Sequence, residues 1–266
     1  MDQKIFQNPP AEYRSAPFWA WDGDLQKEEL DKQIEDFKVM GYGGFFMHAR
    51  AGLITPYLSD EYMQRVKDCC EKAKAEGICA WLYDEDRYPS GPAGGIVTRN
   101  PEFTRRYLRF TAYSYDEPVE YTVPQRGFAR NPAGELLARY DVVLNADGDL
   151  LSYRRLKAGE EGQNVWYAYF EKQPATTDEE QTYVDTLNPE AIQEFARVTY
   201  DRYKEVVGEY FGNVSPAMFT DEPQYASESE LAYALEKGDV ILPWTNDFAA
   251  FYQDRYGEEL LDALPE

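Results

Sequence analysis

I-C-A-W-L-Y-D-E-D-R, residues 78–87, runs through six apolar or aromatic residues and then four charged ones. A short apolar run with its charge confined to one end reads as a parallel strand buried on both faces, its C-terminal tip open to solvent. The same arrangement occurs twice before it. A-P-F-W-A-W, 16–21, closes on D-G-D, and G-F-F-M-H-A-R, 44–50, ends at His48 and Arg50. Between these runs lie two amphipathic helices. The first has Leu25, Leu30, Ile34, Phe37 and, less regularly, Val39 or Met40 on one side, with Asp24 as its expected cap. The second runs from about Ser59 to Glu76, opened by S-D-E and closed by Gly77. Apolar strand, polar tip and amphipathic helix in threefold succession is the pattern of parallel βα units. In such folds the polar strand ends gather at one face, where ligands bind.

Near residue 100 the periodicity falls to about two. The runs around 105–115, E-L-L-A-R-Y-D-V-V-L, L-L-S-Y-R-R-L and V-W-Y-A-Y-F read as antiparallel strands, with N-A-D-G-D (145–149) as a hairpin turn. Asp147 and Asp149 in that turn lack the spacing of a full calcium loop. A helix resumes over 188–211, capped by Asn188, with Pro189 in its first turn and Ile192, Phe195, Ala196, Thr199, Tyr203, Val206 and Val207 facing inward. P-A-M-F-T-D-E-P (216–223) follows as a fourth strand, and the remainder reads as helices with no further strand. The expected fold class is therefore α/β: a (β/α)8 TIM-barrel-like domain, partial (its first half), carrying an antiparallel β insertion. Residues 1–101 would form the first βα units, 102–182 the insertion, and 183–266 the continuation of the barrel. A whole barrel of about 250 residues does not fit once the insertion is subtracted. The open sheet edge must then be covered by a C-terminal half in a longer chain or by a homo-oligomer.

Forty-nine acidic against 27 basic residues give a net charge of -22, which repels nucleic-acid phosphates and anionic membrane surfaces. No apolar run reaches 18 residues and M-D-Q-K-I-F-Q-N-P-P has no signal-peptide core, so a soluble cytoplasmic protein is expected. Cys69, Cys70 and Cys79 have neither disulfide-framework nor metal-ligand spacing. G-P-A-G-G (91–95) lacks the rest of a phosphate-loop signature. The 15% aromatic content suits a carbohydrate cleft, or simply a core.

Asp84, Glu85 and Asp86 end one strand, and Asp221 and Glu222 another. Opposed carboxylates across a cleft are what glycosidic cleavage needs, one protonating the leaving oxygen while another activates water or attacks the sugar. The competing reading is that these acids cap helices, pair with Arg50 or Arg87, or face water. Pro223 would hold Glu222 extended and so aim it. Trp19 and Trp21 share one side of their strand, where a ring could stack on a sugar or fill the core. His48, the only histidine, excludes a multi-histidine metal site and could bond a sugar hydroxyl or a carboxylate. Arg50 and Arg87 could steer substrate or neutralise neighbouring acids.

R-S-A-P-F-W-A-W-D-G, G-G-F-F-M-H-A-R-A-G-L-I-T-P-Y-L-S, W-L-Y-D-E-D-R-Y-P-S-G-P-A-G-G, L-N-P-E-A-I-Q-E-F and F-T-D-E-P, in this order, resemble the catalytic barrel region of the α-L-rhamnosidase-like glycoside hydrolases of family 106. The resemblance spans about residues 10–265 and is weakest in the insertion. It implies a (β/α)8-type catalytic domain that hydrolyses a terminal deoxysugar such as rhamnose in an oligosaccharide or glycoside, with inversion and in some members a calcium ion near the cleft. It implies Glu222 as the acid catalyst, its proton held by burial or by neighbouring carboxylates. Asp84, Glu85, Asp86 and Arg87 would line the sugar site, an Asp of that cluster activating water or orienting hydroxyls, with His48 beside them. Family members are much longer than this chain, and the resemblance implies an opposing base on a later strand. A noncatalytic carbohydrate-binding or structural remnant of such a barrel is the alternative.

Overall fold

The structure, a computed structural model, describes residues 3–120, 129–225 and 234–266. In chain order it contains α1 (Gln3–Gln7), β1 (Phe18–Trp21), α2 (Lys27–Val39), β2 (Gly44–Ala49), α3 (Asp60–Glu76) and β3 (Cys79–Tyr83). Then come β4 (Arg106–Thr111), β5 (Glu135–Leu144), β6 (Leu150–Arg155), β7 (Val165–Lys172), α4 (Pro189–Ala196), α5 (Arg202–Val207), β8 (Met218–Phe219), β9 (Val240–Trp244), α6 (Phe248–Tyr256) and α7 (Leu260–Ala263). The fold is mixed α/β, with a four-stranded sheet ordered β1-β2-β3-β8 and a five-stranded one ordered β6-β5-β7-β4-β9. The chain divides into two compact units. One joins Met1–Val97 to Glu190–Pro223, the other Thr98–Pro189 to Gln224–Glu266.

In the first unit every strand pair is parallel. Gly44 opens β2 where a Cβ would stand 2.4 Å from the Cys79 carbonyl oxygen, so only glycine lets β2 approach β3 this closely. Ser59 caps α3 by accepting from the Tyr62 N–H at 3.1 Å, and Gly77 ends it in the left-handed conformation. The Asp24 side chain does not cap α2. It accepts from Gln26 and Thr55, while Gln26 holds the cap position without a side-chain bond. Alternation sorts the strand residues. Trp19, Trp21, Phe45, Met47, Ala49, Ala80 and Leu82 pack with Leu30, Ile34, Tyr62, Met63 and Cys69 of α2 and α3 in one core. Val39 and Met40, at the end of α2, are exposed rather than inward.

Between α4 and α5 the helix widens into a π-helical turn, Arg197–Asp201. Ala191, Phe195, Thr199, Tyr203 and Val207 are its buried residues, whereas Ile192 and Ala196, expected inside, face outward. The extra width of the turn shifts the phase that a uniform 3.6-residue reading assigns.

The second unit is the antiparallel sheet. Leu108, Phe110, Ala138, Tyr140, Val142, Trp166, Ala168 and Trp244 form its core, with Phe248, Leu260 and Leu261 packed against them. Asn145 closes the β5–β6 hairpin by accepting from the Asp147 and Asp149 N–H groups, both at 2.9 Å. Two expectations fail here. Strand β9, unforeseen in V-I-L-P-W, pairs with β4 along the sheet edge, where Pro243 costs no ladder bond on its outer side. Residues 224–266 accordingly group with the antiparallel sheet rather than continuing the parallel one. The helix expected over 228–238 falls largely outside the described residues, and 234–237 form a turn.

Candidate active site

β3 and β8 are direct neighbours, with Leu82 opposite Met218 and Tyr83 opposite Phe219, so the two acidic tips emerge side by side. Their carboxylates meet different fates. Asp84 is fully buried on the helix side and accepts from Ser90 Oγ (2.6 Å), Thr220 Oγ1 (2.6 Å) and Tyr200 OH (2.8 Å). Burial raises its pKa, and these three donors oppose the rise. Glu85 is also fully buried, wrapped by the loop that follows. The N–H groups of Asp86, Gly91, Ala93 and Gly94 all donate to it, at 2.5–2.9 Å. Burial pushes its carboxyl up to about 7 against those four donors. Two of the expected cleft carboxylates are therefore enclosed, and G-P-A-G-G supplies the wrapping.

Asp86, Asp221 and Glu222 keep contact with solvent. Burial raises the Asp86 pKa, opposed by Arg87, whose guanidinium lies 3.3 Å away and is itself exposed. Asp221 accepts from Tyr83 OH at 3.2 Å and stands 3.8 Å from His48 Nε2. The His48 pKa is lowered, by burial first and by Arg50 second, while Asp221 pulls it back up. Glu222 is exposed, which removes burial from the two expected ways of holding its proton, and its Oε2 accepts from Tyr88 OH at 2.7 Å. Its backbone departs from the reading of Pro223 as well. φ is +43°, the left-handed region, not the extended conformation. A non-glycine residue held there stores strain that a surrounding structure must impose.

Trp19 and Trp21 line no cleft. Both are buried, edge to face at 5.6 Å, and Trp19 Nε1 donates to Gln33. The opposite face of the same strands carries the rings the aromatic content promised. Phe18 packs on Phe46 (4.9 Å) and Phe219 (5.1 Å), Phe46 stacks on Trp81 (5.1 Å), and His48 lies 3.9 Å from Tyr83. That face becomes polar toward the strand ends, where Tyr83, His48 and Asp221 meet. The sequence reading did not single out Tyr83, Tyr88, Ser90, Tyr200 or Thr220. Tyr83 alone had a signal: it is two residues from Glu85 and, by strand register, level with His48. Among the described residues no group of three or more potential ligands gathers to hold a metal ion, and no helix is long and apolar enough to cross a membrane.

No protein-family model matches the chain, and no curated protein matches it. Among solved structures the chain is similar to the rhamnosidase from Novosphingobium sp. PP1Y, with a TM-score of 0.56 at 12% identity. The match covers 98% of this chain and 42% of that one, so the chain spans about two fifths of its neighbour's length and shares its fold.

Proposed function

We propose that the parallel unit is the first part of a (β/α)8-type barrel whose strand ends form a glycoside hydrolase site, cleaving a terminal deoxysugar such as α-L-rhamnose with inversion. The observation that carries this is the neighbouring emergence of Asp221 and Glu222 beside the tip of β3, at the polar end of an aromatic sheet face. Glu222 donates the proton to the leaving oxygen. The Tyr88 hydroxyl can donate to its carboxylate and accept from its acid form, as a proton-passing group requires. Asp86, the one carboxylate of its cluster still open to solvent, orients sugar hydroxyls or activates water. Asp221 and His48 bind hydroxyls, and Arg50 and Arg87 steer the substrate. Asp84 and Glu85 hold the frame. The similarity in fold to a rhamnosidase supports the sugar class.

The test is turnover of a panel of aryl glycosides, α-L-rhamnoside included, by the native chain and by E222Q. Loss of an acid catalyst lowers kcat by about 10²–10⁴-fold, and equal turnover by the two proteins removes Glu222 from the mechanism. The enclosure of Asp84 and Glu85 favours one other reading, a noncatalytic sugar-binding domain. Saturable glycan binding without hydrolysis by either protein selects it.

A further inference from the structure

Ser90 belongs to no expected site, yet it joins the two strand tips through the backbone of Asp221, beside the Thr220–Asp84 and Tyr83–Asp221 side-chain bonds. It is fully buried, its N–H donates to the Asp221 carbonyl at 2.8 Å, and its Oγ accepts from the Asp221 N–H at 2.9 Å. The same hydroxyl spends its proton on Asp84 Oδ1 at 2.6 Å, which leaves a lone pair aimed at Asp221. Asp84 thus fixes the rotamer of Ser90, and Ser90 grips the backbone of Asp221 from both sides. The loop carrying Ser90 is itself pinned one turn later, where Gly91, Ala93 and Gly94 donate to Glu85. The chain of contacts runs from the buried Glu85, through the loop, to the Asp221 carboxylate beside His48 and Tyr83.

We infer that Ser90 is a positioning residue that holds the Asp221 carboxylate against His48 and Tyr83, and that Asp84 and Glu85 serve the site by holding Ser90. The purpose of that carboxylate rests on the glycosidase reading; its placement does not. His48 is the only histidine, so its imidazole protons give one resolved pair of NMR signals whose titration reports on Asp221. The groups that act on it are Arg50, which lowers its pKa, and Asp221, which raises it, with the Tyr83 ring tilted against the imidazole.

The experiment is the pH titration of His48 in the native chain, S90A and D221N. If Ser90 positions Asp221, His48 titrates at lower pH in S90A, in the same direction as in D221N and by a comparable amount. General loosening of the site does the opposite, because hydrating the ring relieves the burial that depresses it. An unchanged or raised titration in S90A overturns the inference, and so does an unchanged titration in D221N. Should S90A not fold, amide hydrogen exchange on the native chain decides. The Asp221, Gly91 and Ala93 N–H groups are expected to exchange in one cooperative opening, and an Asp221 N–H exchanging much faster than the other two overturns the inference. Neither readout involves a sugar, so a chain that passes both but hydrolyses nothing counts against the glycosidase reading alone.

Discussion

Glu222 occupies a left-handed backbone conformation immediately before a proline, where a side chain is least welcome. Strain of this kind costs about 1–3 kcal/mol, and glycine would relieve part of it. E222G is therefore expected to raise thermal stability by roughly 1 kcal/mol while abolishing turnover, a trade that thermal unfolding and an aryl-glycoside assay measure together. Glu85 has the reverse character, stabilising and not exposed. Replacing it with Gln puts an amide NH2 against backbone N–H donors and is expected to cost roughly 2–4 kcal/mol in denaturant unfolding. The pH dependence has a definite sign. The native carboxyl holds its proton up to about 7, against 4.5 for the ordinary group, so the folded state binds more protons in between and loses stability as pH rises through that window. The stability advantage of the native chain over E85Q should shrink from pH 4.5 to pH 7 and be flat above it.

The π-helical turn between α4 and α5 does for one element what these residues do singly. The buried residues of the helix that contains it recur at every fourth position from Ala191 to Val207. A regular helix overshoots by about 40° at each such step, so a wider turn is needed to keep Tyr203 and Val207 on the core side. The same turn carries Tyr200 to Asp84 and Thr220. Its hydroxyl pKa is pushed up to about 12 chiefly by burial, so it remains a donor. Y200F is expected to cost about 1–3 kcal/mol and to raise the Asp84 pKa further, which carboxyl-resolved NMR would detect. None of this was legible in sequence, because a π turn leaves the composition of a helix unchanged. The βα repeats were legible, since Ser59, Gly77 and the charged strand ends punctuate them. Alternation placed Trp19 and Trp21 on a common side, but a strand apolar on both faces does not say which side meets the helices. Burial of Glu85 was hidden for a different reason: its partners are backbone N–H groups, which any sequence possesses. Pro243 hid β9, because a proline argues against a strand except at an edge, and edges are assigned only by the finished sheet.

Across the whole molecule, a net charge of -22 sets a self-repulsion that salt screens, so the thermal midpoint is expected to rise as sodium chloride goes from low to about 0.5 M. Within the antiparallel unit the opposite problem is solved locally. Arg109 is buried between Glu171 (2.7 Å) and Asp239 (2.9 Å), and Tyr115 also donates to Glu171. R109M strands two buried carboxylates and is expected to cost about 3–5 kcal/mol in denaturant unfolding. The two units are interleaved along the chain, each built from two separated segments. A ribosome that has released residues 1–97 has made three strands of the parallel sheet but neither β8 nor the helix that covers Tyr62, and both arrive only after the whole middle segment has been translated. The nascent parallel sheet must therefore wait with β3 lacking its neighbour, so that its folding cannot be completed until the last segment of this unit has emerged.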